Sequence, residues 1–443
     1  LRAAFGRNEV AAAPAAPFFV QSKAGMSILQ SVFRPAKPDR FARQVTRRLR
    51  RAGVEGEIQF DPTRFLLRYG TDAQQIIYLG NFYAEYLAAP IMGRGKVFTR
   101  FMAAFTNKPA EDDSFDNVKG QLLPRVRERF YYQSFELNML IDRAHRPPAN
   151  PARPPLEDFI NRPLNEELSV ELVVDLPDSI RTVSKRDLTK WAVSFDDAMA
   201  IAKDNLWRAS NQEFKRIRPG LFVSPWQDTH DASRLFLHDL IWQLPVRGDH
   251  VVAVPNRNLL IVTGSDDADN LVALAHLVDQ AMQQPRPMIG QIFRLAGSQW
   301  HPFVPPPESP AHWPVKRLAM KSTARDYAEQ KSLLESLHQK TGQDVFVASQ
   351  TLMRRNDDTF WTWTCWVEGI TDALMPVADF VSFGGINADG SSTSAGFARW
   401  DRVVEKVGHM MEPTTFYPPR YRIRAYPSGQ ELAGLELTKN PGI

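Results

Sequence analysis

Apolar residues recur along this chain at two periods, and between Val251 and Met282 the two stand side by side. Val251 to Val254 and Leu259 to Val262 are short apolar runs, after which Leu271, Leu274, Ala275, Val278 and Met282 follow at helical spacing. Pro255, with its preset φ, and the asparagines Asn256 and Asn258, which tolerate left-handed geometry, separate the two runs, so a hairpin is expected. Ser265, Asp266 and Asp267 then offer oxygens to the free amides of a helix start. The stretch predicts a ββα unit.

The same reading extends over the rest of the chain. Phe41, Val45 and Leu49 mark one stripe of a helix over residues 38–52, and Gly53 ends it. Residues 57–60 and 65–69 predict a second hairpin, and Ile76 to Leu87 and Val97 to Phe105 predict two helices. Leu168 to Leu176 reads as a strand, Ser184 to Trp191 and Ser194 to Ala209 as helices opened by a serine with an aspartate three residues on, and residues 231–242 as a helix. Further on come a strand over 288–295, a helix over 324–340, strands over 345–352, 360–367 and 377–383, a flexible Gly- and Ser-rich loop over 384–396, and a helix and strand near 400–407 and 421–426. The expected fold class is α+β, built of several modules with mixed or antiparallel sheets and packed helices in ββα units. The boundaries expected are a disordered tail or upstream extension over 1–25, an N-terminal α+β module over 26–146, a proline-rich linker over 147–163, a central module over 164–285 and a C-terminal module over 286–443.

Charge changes this picture at one end. The net charge is +4 over 443 residues, yet residues 26–150 carry 20 Lys and Arg against 13 Asp and Glu. Arg40, Arg43, Arg47, Arg48, Arg50 and Arg51 fill the polar faces of the first helix. They are candidates for contact with an anion, a nucleic acid or an acidic surface, or else form a solvated helix face. The acidic connector Glu111-Asp112-Asp113 lacks convergent partners and reads as a loop. A single cysteine, Cys365, rules out an intrachain disulfide and suits a reducing, cytoplasmic compartment. Its alternation with Trp361 and Trp363 on a strand turns it to one packed face and favours an inert thiol. No stretch has the roughly 20 clean apolar residues of a membrane span.

Four segments carry a resemblance: LLPRVRERF at 122–130, WAVSFDDAMAIAKDNL at 191–206, DASRLFL at 231–237 and VVAVPNRNLLIVTGS at 251–265. Together they resemble the bacterial YtpQ-type family of uncharacterised proteins, over about residues 26–282. The resemblance implies a bacterial cytosolic α/β protein and assigns no catalytic residue. The last 150 or so residues have no counterpart in it.

The chain has no phosphate-binding glycine loop, dinucleotide fingerprint, His-Glu-x-x-His, paired CxxC or nucleophile elbow. Its densest polar group is Asp228, His230, Asp231, His238 and Asp239, which capping and exposure account for better than metal binding. Asn256 and Arg257 at the hairpin tip, Asp175 at a strand end and His230 are the candidate ligand or partner contacts. No catalytic residue, metal ligand or cofactor is expected. The leading expectation is a non-enzymatic binding or scaffold protein with a protein partner. A hydrolase or transferase with a site between the central and C-terminal modules, using Asp175, His230 and Arg257, is the first alternative. Nucleic-acid or anionic-surface binding through Arg40 to Arg51 is the second.

Overall fold

The computed structural model describes residues 37–69, 75–106, 114–145, 158–176, 179–386 and 392–439. Residues 1–25, the acidic connector 111–113 and residues 147–157 of the expected linker lie outside these. The fold is α+β, with five sheets that are antiparallel for the most part.

The N-terminal body opens with helix Pro38–Arg51, whose proline sits in the first turn where a missing amide costs nothing. Asp39 near its start and Arg48, Arg50 and Arg51 near its end suit the helix dipole. Phe41, Ala42, Val45 and Leu49 are fully buried. They pack on a three-stranded antiparallel sheet, Gln59–Asp61, Leu66–Tyr69 and Gln75–Tyr78, and on helices Gly80–Ala88 and Arg94–Thr106. The helix expected from Ile76 begins only at Gly80: Ile76 and Ile77 pair with Arg68 and Leu67, as β-branched residues do where a strand edge is on offer.

Strand Leu122–Glu128 pairs antiparallel with Leu168–Leu176 along its whole length, so the pairing spans the expected linker. Their apolar side, through Val126 and Leu168, closes over a six-stranded sheet built from residues 215–303. The hairpin His250–Asn256 and Leu259–Gly264 forms its middle. Alternation splits the hairpin between two cores. Val252, Val254, Leu260 and Val262 face the strand pair, whereas Val251, Ala253 and Ile261 face helix Ala268–Ala281, which Asp267 caps by accepting from the Asn270 amide. Strands Ile292–Ala296 and Gln299–Phe303 extend this sheet beyond residue 285. Residues 231–242 do not form one helix. Ala232–Phe236 is a 3-10 turn and His238–Trp242 a short helix, because Leu235, buried with the turn, is followed by Leu237 in a non-helical conformation.

The helix expected over 324–340 runs from His312 to Thr341, with Pro314 tolerated in its first turn and Gly342 left-handed at its end. It packs lengthwise on helix Arg129–His145, where Leu137 meets Leu334. The C-terminal body holds two four-stranded sheets. Residues 384–396, expected as a loop, carry the end of strand Phe380–Ile386 and much of Ser392–Arg399, which pair with each other; only 387–391 lie outside the described residues. Small residues serve here because the strands approach closely: a Cβ at Gly384 would meet the Thr393 carbonyl oxygen at 2.0 Å.

Candidate functional site

Helix Pro38–Arg51 separates its residues by type. At 100° per residue, Arg40, Arg43, Arg47, Arg50 and Arg51 fall within an arc of roughly 100° and span about 16 Å. The fully buried Phe41, Ala42, Val45 and Leu49 lie on the opposite side. All five arginines are exposed, and none pairs with another described residue. Arg48 differs, lying across the ring of Phe98.

The polar group read in the sequence around residue 230 is a built loop. Arg234, fully buried, donates to both oxygens of Asp228 at 2.9 and 2.7 Å, to the Ser210 hydroxyl at 2.8 Å, and stacks on Trp226. Burial alone would raise the Asp228 carboxyl; the bonds and charge of Arg234, with the His230 amide, hold it below the usual range. Asp231 is fully buried and raised by that burial, against hydrogen bonds from Ser224 and the Gln227 backbone. Gln227 and Thr229 both take positive φ, which fixes the tight course of the loop. His230 is 2% exposed, and neither ring nitrogen has a hydrogen-bond partner among the described residues. Its Nε2 lies 3.7 Å from Asp175 Oδ2, so the structure brings these two sequence candidates together, just outside hydrogen-bond distance.

Asn256 and Arg257 do sit on the hairpin tip. The Asn256 side chain accepts from the Asn258 amide and shapes the turn. Arg257 accepts from the Ala232 amide through its carbonyl, which places its backbone beside the loop. Its guanidinium belongs to another setting, with Arg127, Arg286, Arg100 and Glu85, none of which the sequence singled out. No local motif could have found them, since the five come from separate segments.

Cys365 is only partly exposed, and burial pushes its thiol up to about 11, so the thiolate is scarce near neutrality. The strand face fully turned into the core is that of Thr362, Thr364 and Trp366; Trp361 and Trp363 lie on the other, half-buried face against Phe380 and Phe397. Among the described residues, no group of three His, Cys, Asp or Glu is placed to hold a metal ion, and no helix is long and apolar enough to cross a membrane. Comparison with family models, curated proteins and solved structures finds no match.

Proposed function

We propose that this is a non-enzymatic binding protein that grips the phosphodiester backbone of nucleic acid with the arginine stripe of helix Pro38–Arg51. The observation that carries the reading is the separation on that helix: five exposed arginines without acidic partners among the described residues, opposite an apolar side that is wholly used in the core. Guanidinium groups suit phosphate because they offer paired donors in a plane. A helix that lies on an anionic bilayer needs an apolar face to insert, and here that face is taken. Contact confined to the backbone carries no base readout, so binding is expected to be indifferent to sequence.

The test is titration of labelled duplex DNA and of anionic lipid vesicles against the wild-type protein and Arg43→Glu/Arg47→Glu. Binding of the duplex that is lost in the double variant supports the reading. Retention of binding, or preference for the vesicles, contradicts it. Membership of the bacterial YtpQ-type family, a cytoplasmic setting and a protein partner are part of the same proposal, and the partner would be sought by gentle affinity purification from the native cell.

One observation favours a second reading, a hydrolase or transferase: the approach of Asp175 to His230, as of a carboxylate that orients a general base. Arg257 does not complete this set, because its guanidinium lies in another setting, among Arg127, Arg286, Arg100 and Glu85. Turnover of a hydrolase substrate panel that vanishes in His230→Gln would favour this reading over the first.

A further inference from the structure

A second cationic group, independent of the arginine helix, lies where the N-terminal body meets the middle of the molecule. The backbone draws its members together. The Val126 amide donates to Ser233 Oγ and the Ala232 amide to the Arg257 carbonyl, so strand Leu122–Glu128 and the hairpin tip flank one turn. Asn256 bridges to Pro287, which sets Arg286 next to that tip. From the N-terminal body, Glu85 reaches in and pairs with Arg286 through one oxygen and with Arg100 through the other.

One carboxylate thus meets two of four guanidiniums. Arg257 has neither an ion pair nor a side-chain hydrogen bond among the described residues, and its Nε is shielded from solvent. Arg127 Nε is shielded likewise and has no hydrogen-bond partner among the described residues, and the guanidinium lies over the face of Tyr131, 4.9 Å from the ring centre. Glu128, next along the strand, lies within the charge field of Arg127 and is shared with Arg325, and burial raises its carboxyl, so the guanidinium left without a counter-charge is that of Arg257. Partly buried cations without a counter-charge are costly, and here burial and the neighbouring arginines lower Arg257 to about 9.

We propose that Arg127, Arg257 and Arg286 form a binding site for a phosphomonoester dianion carried by a small molecule. Three guanidiniums arriving from a strand, a hairpin tip and a loop suit a group with three terminal oxygens better than a two-oxygen carboxylate. The surplus of positive charge over Glu85 favours a dianion. Tyr131, 37% exposed beside Arg127, offers a ring face to the organic part. Glu85 occupies part of the same cationic field and competes with the ligand.

Calorimetric titration of the full chain with phenyl phosphate, at constant ionic strength in chloride and at pH 8, tests this. Saturable binding is expected, weakened about tenfold in Arg257→Gln, as for loss of one charge-assisted hydrogen bond. Glu85→Gln should bind more tightly, which a merely structural role would not produce. Should Arg257→Gln fail to fold, Arg257→Lys keeps the charge, loses the fork and should weaken binding severalfold. Heats no different from those of sodium chloride, equal affinity in the Arg257 variant, or weaker binding in Glu85→Gln would overturn the site.

Discussion

The guanidinium carbon of Arg48 lies 3.8 Å from the centre of the Phe98 ring, and a second contact runs from its Nη1 to the Gln44 carbonyl at 3.3 Å. Its neighbour Arg47 is exposed. Two adjacent arginines on one helix therefore do different work, one joining the helix to the core and the other facing solvent.

Their substitutions should separate accordingly. Arg48→Ala loses a cation–π contact and the packing of its alkyl stem, a cost of about 1 kcal/mol. Arg47→Glu should stay within about 0.5 kcal/mol of wild type, as exposed changes do. Urea unfolding followed by circular dichroism measures both; equal destabilisation would show that the two arginines are not distinguished in this way.

Arg420 is a fully buried cation held by neutral groups. It donates to Gln330 Oε1, to the carbonyls of Ala348 and Leu374 at 2.8 and 3.0 Å, and to that of Tyr327 at 3.3 Å. It thereby ties the long helix His312–Thr341 to two strands of the C-terminal body. Arg420→Met should cost roughly 3 kcal/mol or more, because acceptors on three elements lose their donor at once. Arg420→Lys should rescue little, having no planar fork. Thermal unfolding of both variants gives the answer.

Asp326 predicts a pH dependence. Burial, with the charges of Glu128 and Glu329, raises its carboxyl to about 7, although Arg325 donates to it at 2.8 Å and opposes the shift. The folded chain then holds a proton that the unfolded chain releases near pH 4, so this group's contribution to stability is complete below that pH and is lost as pH rises through 7. Asp326→Asn removes the titration. Relative to wild type, the variant should gain roughly 2 to 3 kcal/mol of stability between pH 5 and pH 8. Denaturation curves at the two pH values that shift in parallel for both proteins would contradict the assignment.

The lone thiol should be slow to react. With Cys365 raised to about 11 by burial, a thiol reagent at pH 8 should modify the folded protein at least tenfold more slowly than the protein in guanidinium chloride. Equal rates would mean that the strand face of Cys365 is open.

What could be read from the sequence was whatever its local chemistry determines. The hairpin and helix between residues 250 and 281 follow from two apolar periods and a cap, and Ser184 with Asp187 forms the capping box their spacing suggests. The opposition of Arg43 and Arg47 to Val45 and Leu49 was likewise visible in the helical period. Reading failed where partners decide. Ile76 and Ile77 fit a helix or a strand, and only the strand Leu66–Tyr69 beside them settles which. Glycines and serines after Phe383 imply a loop until a paired strand shows that small residues are needed there. Arg127, Arg257 and Arg286 each look like ordinary surface arginines, because the folding that gathers them around Glu85 joins positions up to about 200 residues apart.

The most direct test of the central proposal is the salt dependence of duplex binding by wild type and by Arg43→Glu/Arg47→Glu. With four or five phosphates neutralised, the logarithm of the binding constant should fall against log salt with a slope of about −4 in the wild type, and the slope should shrink by about 2 in the double variant. A wild-type slope near zero, or identical slopes for the two proteins, would contradict the account.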